Sequence, residues 1–290
     1  MQYEGQICRP PMERASYMLP VAVGCSYNAC KFCMLFKHLC YRELPREQIE
    51  AEMQRVAAAG GNPKTIFLGD GNAFGLETEQ LLWILERIHH YFPGCEAVNM
   101  DATVTNISQK SDAQLSALAD QGVRGLYLGI ETGLDDVLRF MCKDHNLRQA
   151  YEQIERLKAA GMVFNAHMMT GIAGHGRGIE NAEATAAFFN RTQPEKIINF
   201  SIFHHRRSAL YREIEAGRFV PADEQENLRE ERRLLELLEV PGLRYDGFHD
   251  VAIEQRFRGT LPKDREKLLA QVDKAIAYWE TLPPVLCTFE

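Results

Sequence analysis

Two rhythms of apolar residues alternate along the first two thirds of the chain. Short apolar runs are each followed by a stretch in which apolar residues recur every three or four positions. The runs predict buried strands at 17–24 (YMLPVAVG), 65–72 (TIFLGDGN, strand then loop), 97–102 (AVNMDA), 123–133 (VRGLYLGIETG, strand then loop), 162–172 (MVFNAHMMTGI) and 196–203 (KIINFSIF). Helical spacing fills the intervals. Ile49, Met53 and Val56 lie between Pro45 and the Gly60-Gly61 stop, Leu81, Leu85 and Ile88 lie within 77–91, and Tyr151, Ile154 and Leu157 lie within 147–160, with further helices at 112–121 and 180–191. Six strands separated by helices imply right-handed βαβ units and a wholly parallel sheet of the α/β class. Periodicity leaves open whether that sheet is doubly wound or curved into a partial barrel. After Phe203 the rhythm stops, and 209–240 and 262–280 are predicted as helices joined by an irregular link. Residues 1–208 are therefore expected to form the reactive domain and 209–290 a helical cap or packing extension.

Composition narrows the partners. With 290 residues, 46% hydrophobic and 25% charged, the chain can bury the core of one large domain without a metal or disulfide to hold it. A net charge of −7 argues against a nucleic-acid surface and for a small-molecule substrate. No apolar run approaches about 18 residues, and the first residues carry acid and proline where a secretory signal has a basic start, so a cytoplasmic protein without a membrane partner is expected. In a reducing compartment eight cysteines are not a disulfide framework, and a tight group of them points to metal or redox chemistry.

Such a group stands in GCSYNACKFCMLF, at the C-terminal end of the first predicted strand, where α/β folds carry their chemistry. Cys25, Cys30 and Cys33 are three thiols where a structural zinc site wants four ligands, and no second CxxC-like pair exists. Three thiolates suit a [4Fe–4S] cluster with one iron left open for an outside ligand. A zinc or simple electron-transfer site, and ordinary thiols, are the competing readings.

With Cys25-x4-Cys30-Lys31-Phe32-Cys33, this stretch resembles the signature CxxxCx(aromatic)C of the radical S-adenosylmethionine (radical SAM) superfamily. It departs by one extra residue in the first gap and keeps the aromatic, Phe32. The resemblance implies a partial (β/α)6 TIM-like barrel with a C-terminal helical extension. It also implies a [4Fe–4S] cluster on Cys25, Cys30 and Cys33, with SAM bound on the open iron. GDGN, Gly69, Asp70, Gly71 and Asn72, falls where the family has a Gly-Gly-Glu-like turn. Lacking the glutamate, it would meet the methionine amino group through backbone carbonyls plus Asp70 or Asn72. GIETG (129–133) is similar to the motif shared by the methylthiotransferase and oxygen-independent coproporphyrinogen oxidase branches, which implies that Glu131 holds the ribose hydroxyls. Twelve residues on, Lys143 takes the place of a basic partner of the SAM carboxylate, and in TGIAG (170–174) Ile172 lies along the adenine. More narrowly, GCSYNACKFCMLFK, FLGDGNAF, GIETGLDDVLRFM and FRGTLPKDREKLL resemble a group of small single-domain members that includes an activity releasing queuine from its nucleoside.

Polar residues inside apolar strands or just beyond them need partners, so Asp101, Asn165, His167, Asn199, Ser201, His204 and His205 are the candidates for gripping a substrate. His249 and Arg256 in the tail are candidates for reaching over the barrel mouth. No catalytic residue is specified. The resemblance implies an enzyme that splits SAM to a 5′-deoxyadenosyl radical, with a reductant such as flavodoxin or ferredoxin, and a lyase or rearrangement reaction. The alternatives are a radical dehydrogenase or porphyrin-modifying enzyme, and a non-catalytic iron–sulfur or zinc sensor or electron carrier.

Overall fold

Helix Arg46–Ala58 begins directly after Pro45, its N-cap, and stops at Gly60, whose φ of +80° suits a residue without Cβ. Punctuation of this kind recurs along the chain. The computed structural model describes residues 4, 8–250 and 254–290. Their main strands are β1 (Tyr17–Pro20), β2 (Thr65–Gly69), β3 (Ala97–Ala102), β4 (Val123–Glu131), β5 (Val163–Thr170), β6 (Lys196–Ser201), β7 (Leu243–Asp250) and β8 (Glu254–Leu261). All six strands expected before residue 203 are present, as are the helices between them: Arg46–Ala58, Thr78–Tyr91, Asp112–Asp120, Leu147–Ala159 and Gly178–Thr192.

The chain divides into two compact units, one of residues 1–28, 35–128 and 152–164, the other of 29–34, 129–151 and 165–290. In the first, β1, β2, β3 and β4 up to Leu128 pair in parallel, in that order. A short antiparallel ribbon, Ala22–Val23 with Arg42–Glu43, brackets the cysteine-bearing segment. Side chains alternate between faces of a strand. Asn99 and Tyr127 share one face, and both donate to the buried carboxylate of Glu13, at 3.1 and 2.5 Å. Asp101 lies on that same face, opposite Tyr127 in the register and nearer the C-terminal end.

In the second unit β5, from Asn165 on, pairs in parallel with β6, and β6 with β7, while β8 returns antiparallel on β7. The helices expected in the tail are found at Ala209–Glu215, Glu224–Leu237 and Arg265–Trp279. The link between the second and third is not irregular, and the strands are not wholly parallel: it is the hairpin of β7 and β8. The reason is visible in its registry. Arg244, Asp246, Arg256 and Arg258 interrupt the apolar pattern and read as loop residues, but Asp246 is buried and pairs with Arg256 at 2.6 Å and Arg258 at 3.0 Å. Leu243, Tyr245, Phe257 and Leu261 alternate with them and are buried.

His249 does not reach over any strand end. It is fully buried beneath helix Glu224–Leu237, with Nδ1 2.8 Å from Glu224 and Nε2 2.5 Å from Glu231. Burial disfavours the imidazolium, yet the carboxylates of Glu231 and Glu224 outweigh it and push His249 up to about 10. Raised above an unfolded value of about 6.5, the group stabilises fully below that pH, and the contribution, on the order of 4 kcal/mol, is lost as pH rises through about 10. The melting temperature is expected to fall steadily from pH 7 to pH 10, and the fall should be shallower in His249→Gln, which has nothing to deprotonate there. Parallel melting curves of the two proteins would disprove the assignment.

Candidate functional site

In the first unit the loop after β2 is built against the start of the cysteine segment. Gly71, at φ +36°, lies so close to Gly24 and Cys25 that a Cβ on it would sit 2.7 Å from Cys25 Cα and 2.8 Å from Cys25 Cβ. Asn72 accepts the Ser26 backbone N–H at 3.0 Å, and its amide donates to Ser26 Oγ at 2.8 Å and Asn106 Oδ1 at 3.1 Å. Asn106 is itself held in a capping box with Thr103. Both amide hydrogens of Asn72 are thereby used, and its role is that of a strut for the loop carrying Cys25. Asp70 is the opposite case. It is buried, its Oδ1 has no partner, and burial pushes it up to about 6, with the Asp101 charge adding and backbone N–H groups of Gly71, Cys8 and Gly24 opposing. An orphaned buried carboxylate oxygen calls for a donor, and a ligand ammonium is one.

The second unit gathers Cys30, Phe32, Cys33, Glu131, Lys143 and Ile172. Glu131 ends β4 in the left-handed region at φ +66°, a conformation a glutamate adopts only where its surroundings enforce it. Its carboxylate meets Lys143 Nζ at 3.1 Å, both side chains being buried. Gly129 leaves room for that pair: a Cβ there would sit 2.5 Å from Glu131 Oε1 and 3.0 Å from Lys143 Nζ. Burial alone would lower the Lys143 pKa, but the charges of Glu131, Cys30 and Asp144 raise it well above its ordinary value, so the ammonium is permanent. Lys143 also stands 6.0 Å from the Phe32 ring centre. Burial pushes the Cys30 thiol up to about 11, against the pull of Lys143. Ile172 is fully buried with Val137, Met141 and Met169, and Phe32 and Phe200 pack against that cluster. The segment bearing Cys30 is pinned by its backbone: Lys31 N–H donates to Met141 O at 3.0 Å and Leu210 N–H donates to Lys31 O at 2.9 Å.

The candidates for gripping a substrate separate by face. On β5, Asn165, His167 and Met169 share one face, and the His167 ring stacks on Phe200 with centres 6.2 Å apart. Asn165 is buried with neither amide atom partnered, yet it lies near the N-terminal end of its strand, level with Lys196. Asn199 and Ser201 face the other way. Asn199 accepts Thr170 N–H at 3.1 Å and donates to Tyr245 Oη at 3.0 Å, and Tyr245 donates to Glu231 at 2.6 Å, so Asn199 belongs to the packing beneath helix Glu224–Leu237. His204, buried 6.3 Å from the Phe219 ring, has an unpartnered Nδ1, and burial lowers it to about 4, which keeps the imidazole neutral. His205 is half-buried and accepts Arg207 N–H at 3.2 Å. Arg256 is held by Asp246. Sequence reasoning missed Glu230 and Glu231, which read as part of a charged helix, LREERRLLELLE, and are fully buried. Glu230 and Glu231 stand six and seven positions after Glu224, two turns along the same helix, and that spacing was the available signal.

The parallel strands, the cysteine segment and the glycine-flanked acidic strand end are those of one family. The model of the radical SAM superfamily matches residues 19–188, and this chain belongs to that superfamily. It is 26% identical over 207 residues to the heme chaperone HemW of Bacillus subtilis (strain 168), covering 69% of this chain and 54% of that protein. It is 25% identical over 193 residues to a tRNA-2-methylthio-N(6)-dimethylallyladenosine synthase of Anaeromyxobacter dehalogenans (strain 2CP-C), covering 64% of this chain and 40% of that one. The chain thus spans about half the length of the curated relatives it matches. Among solved structures it shares its fold with the coproporphyrinogen III oxidase HemN of Escherichia coli, at a TM-score of 0.61 and 15% identity over 83% of this chain and 55% of that one. The fold is the α/β, partial TIM-like barrel of radical SAM enzymes, with no closed barrel among the described residues.

Radical SAM enzymes use a [4Fe–4S] cluster and SAM. The residues fit both. Cys25, Cys30 and Cys33 form no disulfide, Asp70 offers an orphaned buried oxygen, and Gly71 and Gly129 leave space where any side chain would intrude. Among the described residues no three His, Cys, Asp or Glu side chains form a group that could hold a single metal ion. A cubane makes a different demand, since each thiolate ligates its own iron at a separate corner. Among those residues, too, no helix is long and apolar enough to cross a membrane.

Proposed function

We propose that this chain is a radical SAM lyase acting on a small polar metabolite, with Cys25, Cys30 and Cys33 as cluster ligands. When bound there, the cluster would supply the electron for reductive cleavage of SAM to methionine and a 5′-deoxyadenosyl radical able to abstract hydrogen from substrate. The observation that carries this reading is the buried Glu131–Lys143 pair beside Cys30 and Phe32. A fixed ammonium there suits the SAM carboxylate, Glu131 suits the ribose hydroxyls, and Ile172 gives the adenine an apolar wall. Asp70 accepts from the amino group, and the Gly69 and Gly71 carbonyls flank it. His204 is assigned to substrate contact: burial keeps its imidazole neutral, and the unpartnered Nδ1 can accept a hydrogen bond from a polar group of the substrate. His167 and His205 are assigned to substrate contact, Asp101 to a polar contact with it, and residues 1–208 to the reactive domain. The candidate substrate is a queuine nucleoside, from which the base would be released.

A second reading, tetrapyrrole handling, is favoured by the similarity to HemW and HemN. Anaerobic reconstitution followed by dithionite, SAM and queuosine separates the two. The lyase reading expects 5′-deoxyadenosine and free queuine by chromatography. 5′-Deoxyadenosine without queuine removes the substrate assignment, and tight binding of hemin would favour the tetrapyrrole. An intact cluster that yields no 5′-deoxyadenosine would leave a sensor or electron carrier.

A further inference from the structure

Building on that reading, we propose that Glu230 is a positioning residue for SAM: it ties the loop after β4 and the loop after β5 to helix Glu224–Leu237. Its side chain is fully buried and both oxygens are engaged. Oε2 accepts the Gly171 backbone N–H at 2.9 Å, immediately before Ile172. Oε1 accepts from Asn181 Nδ2 at 2.6 Å. Asn181 carries the link onward, because its Oδ1 receives the hydroxyl of Thr132, the residue after Glu131. Thr185, one turn further along the same helix, donates to Asn181 Oδ1 at 3.3 Å and accepts Gly133 N–H at 2.8 Å. One carboxylate therefore terminates two chains of hydrogen bonds, each ending in a loop assigned to SAM.

Glycines let these loops come close enough. A Cβ on Gly133 would lie 2.5 Å from Thr185 N, one on Gly178 would lie 3.1 Å from Glu230 Oε2, and one on Gly171 would strike Asn227. Helix packing alone does not call for a carboxylate at 230, and burying one there is costly. What only a two-oxygen acceptor does is hold two donors from two different loops at a fixed separation. Ligand groups held to within fractions of an ångström need such support behind them.

The test uses the full chain with its cluster reconstituted, and SAM itself as the probe, titrated against the electron paramagnetic resonance signal of the reduced cluster. Glu230→Ala is expected to weaken SAM at least tenfold while iron content and the SAM-free signal stay at wild-type levels. Hydrogen–deuterium exchange of the metal-free protein adds a readout independent of the cluster. Relative to wild type, exchange should accelerate about tenfold or more in both 130–134 and 170–174 in Glu230→Ala, and in 130–134 alone in Asn181→Ala. Asn181→Ala keeps the experiment decisive if Glu230→Ala does not fold. Glu131→Gln is the reference. If it weakens SAM and Glu230→Ala does not, the positioning role is wrong and the SAM site stands. If neither weakens SAM, the SAM site itself is wrong. Uniform acceleration across the second unit would reduce Glu230 to a packing residue.

Discussion

Cys30→Ala is expected to remove the cluster entirely: the visible iron–sulfur absorbance should vanish, bound iron should fall by at least tenfold, and no 5′-deoxyadenosine should form from SAM and dithionite. Thiolates, not thiols, ligate iron. Burial pushes the Cys30 thiol up to about 11, so in the metal-free protein it is protonated at neutral pH, and loading must expel that proton. Cluster assembly in the unaltered protein should therefore go faster as pH rises from 7 to 9. A Cys30→Ala protein with wild-type iron content would show that the metal is held elsewhere and would overturn the assignment of all three cysteines.

Lys143→Met should be the most damaging change outside the cysteines. It leaves the Glu131 carboxylate buried with its cation gone, a defect that costs about 3–5 kcal/mol. In a protein of this size that lowers the melting temperature by roughly 10 °C. SAM affinity should fall as well, since the ammonium is assigned to the SAM carboxylate. The two effects separate in the double variant Lys143→Met/Glu131→Gln. Neutralising both partners should restore most of the lost stability, because no charge remains stranded, and should restore none of the SAM binding. Recovery of both would mean that the pair holds the fold and has no part in the ligand.

Much of the candidate site is legible in the sequence. The spacing of Cys25, Cys30 and Cys33, the aromatic Phe32, and the glycines around Asp70 and Glu131 are local features whose meaning does not depend on what packs against them. Lys143 was found by its distance from Glu131 along the chain, and the two are 3.1 Å apart. Asn72 and Asp70 were equivalent as letters, and only their neighbours distinguish a strut bonded to Ser26 and Asn106 from a carboxylate with an orphaned oxygen. Asn199 and His167, both polar residues within apolar strands, likewise separate only through strand pleat and register.

The chain's own pattern determined the six strands, the helices between them and the place of the candidate loops, because period and punctuation are properties of neighbouring residues. Tertiary structure decided the rest. The charges that disguise β7 and β8 as loop neutralise one another only once Asp246 meets Arg256 and Arg258 across the hairpin. Glu224, Glu230 and Glu231 are carboxylates that a lone helix would leave in water, and they are buried because His249, Tyr245, Asn181 and Gly171 bring donors to them from other elements. Burial of a polar group depends on partners distant in sequence, and no local pattern records them.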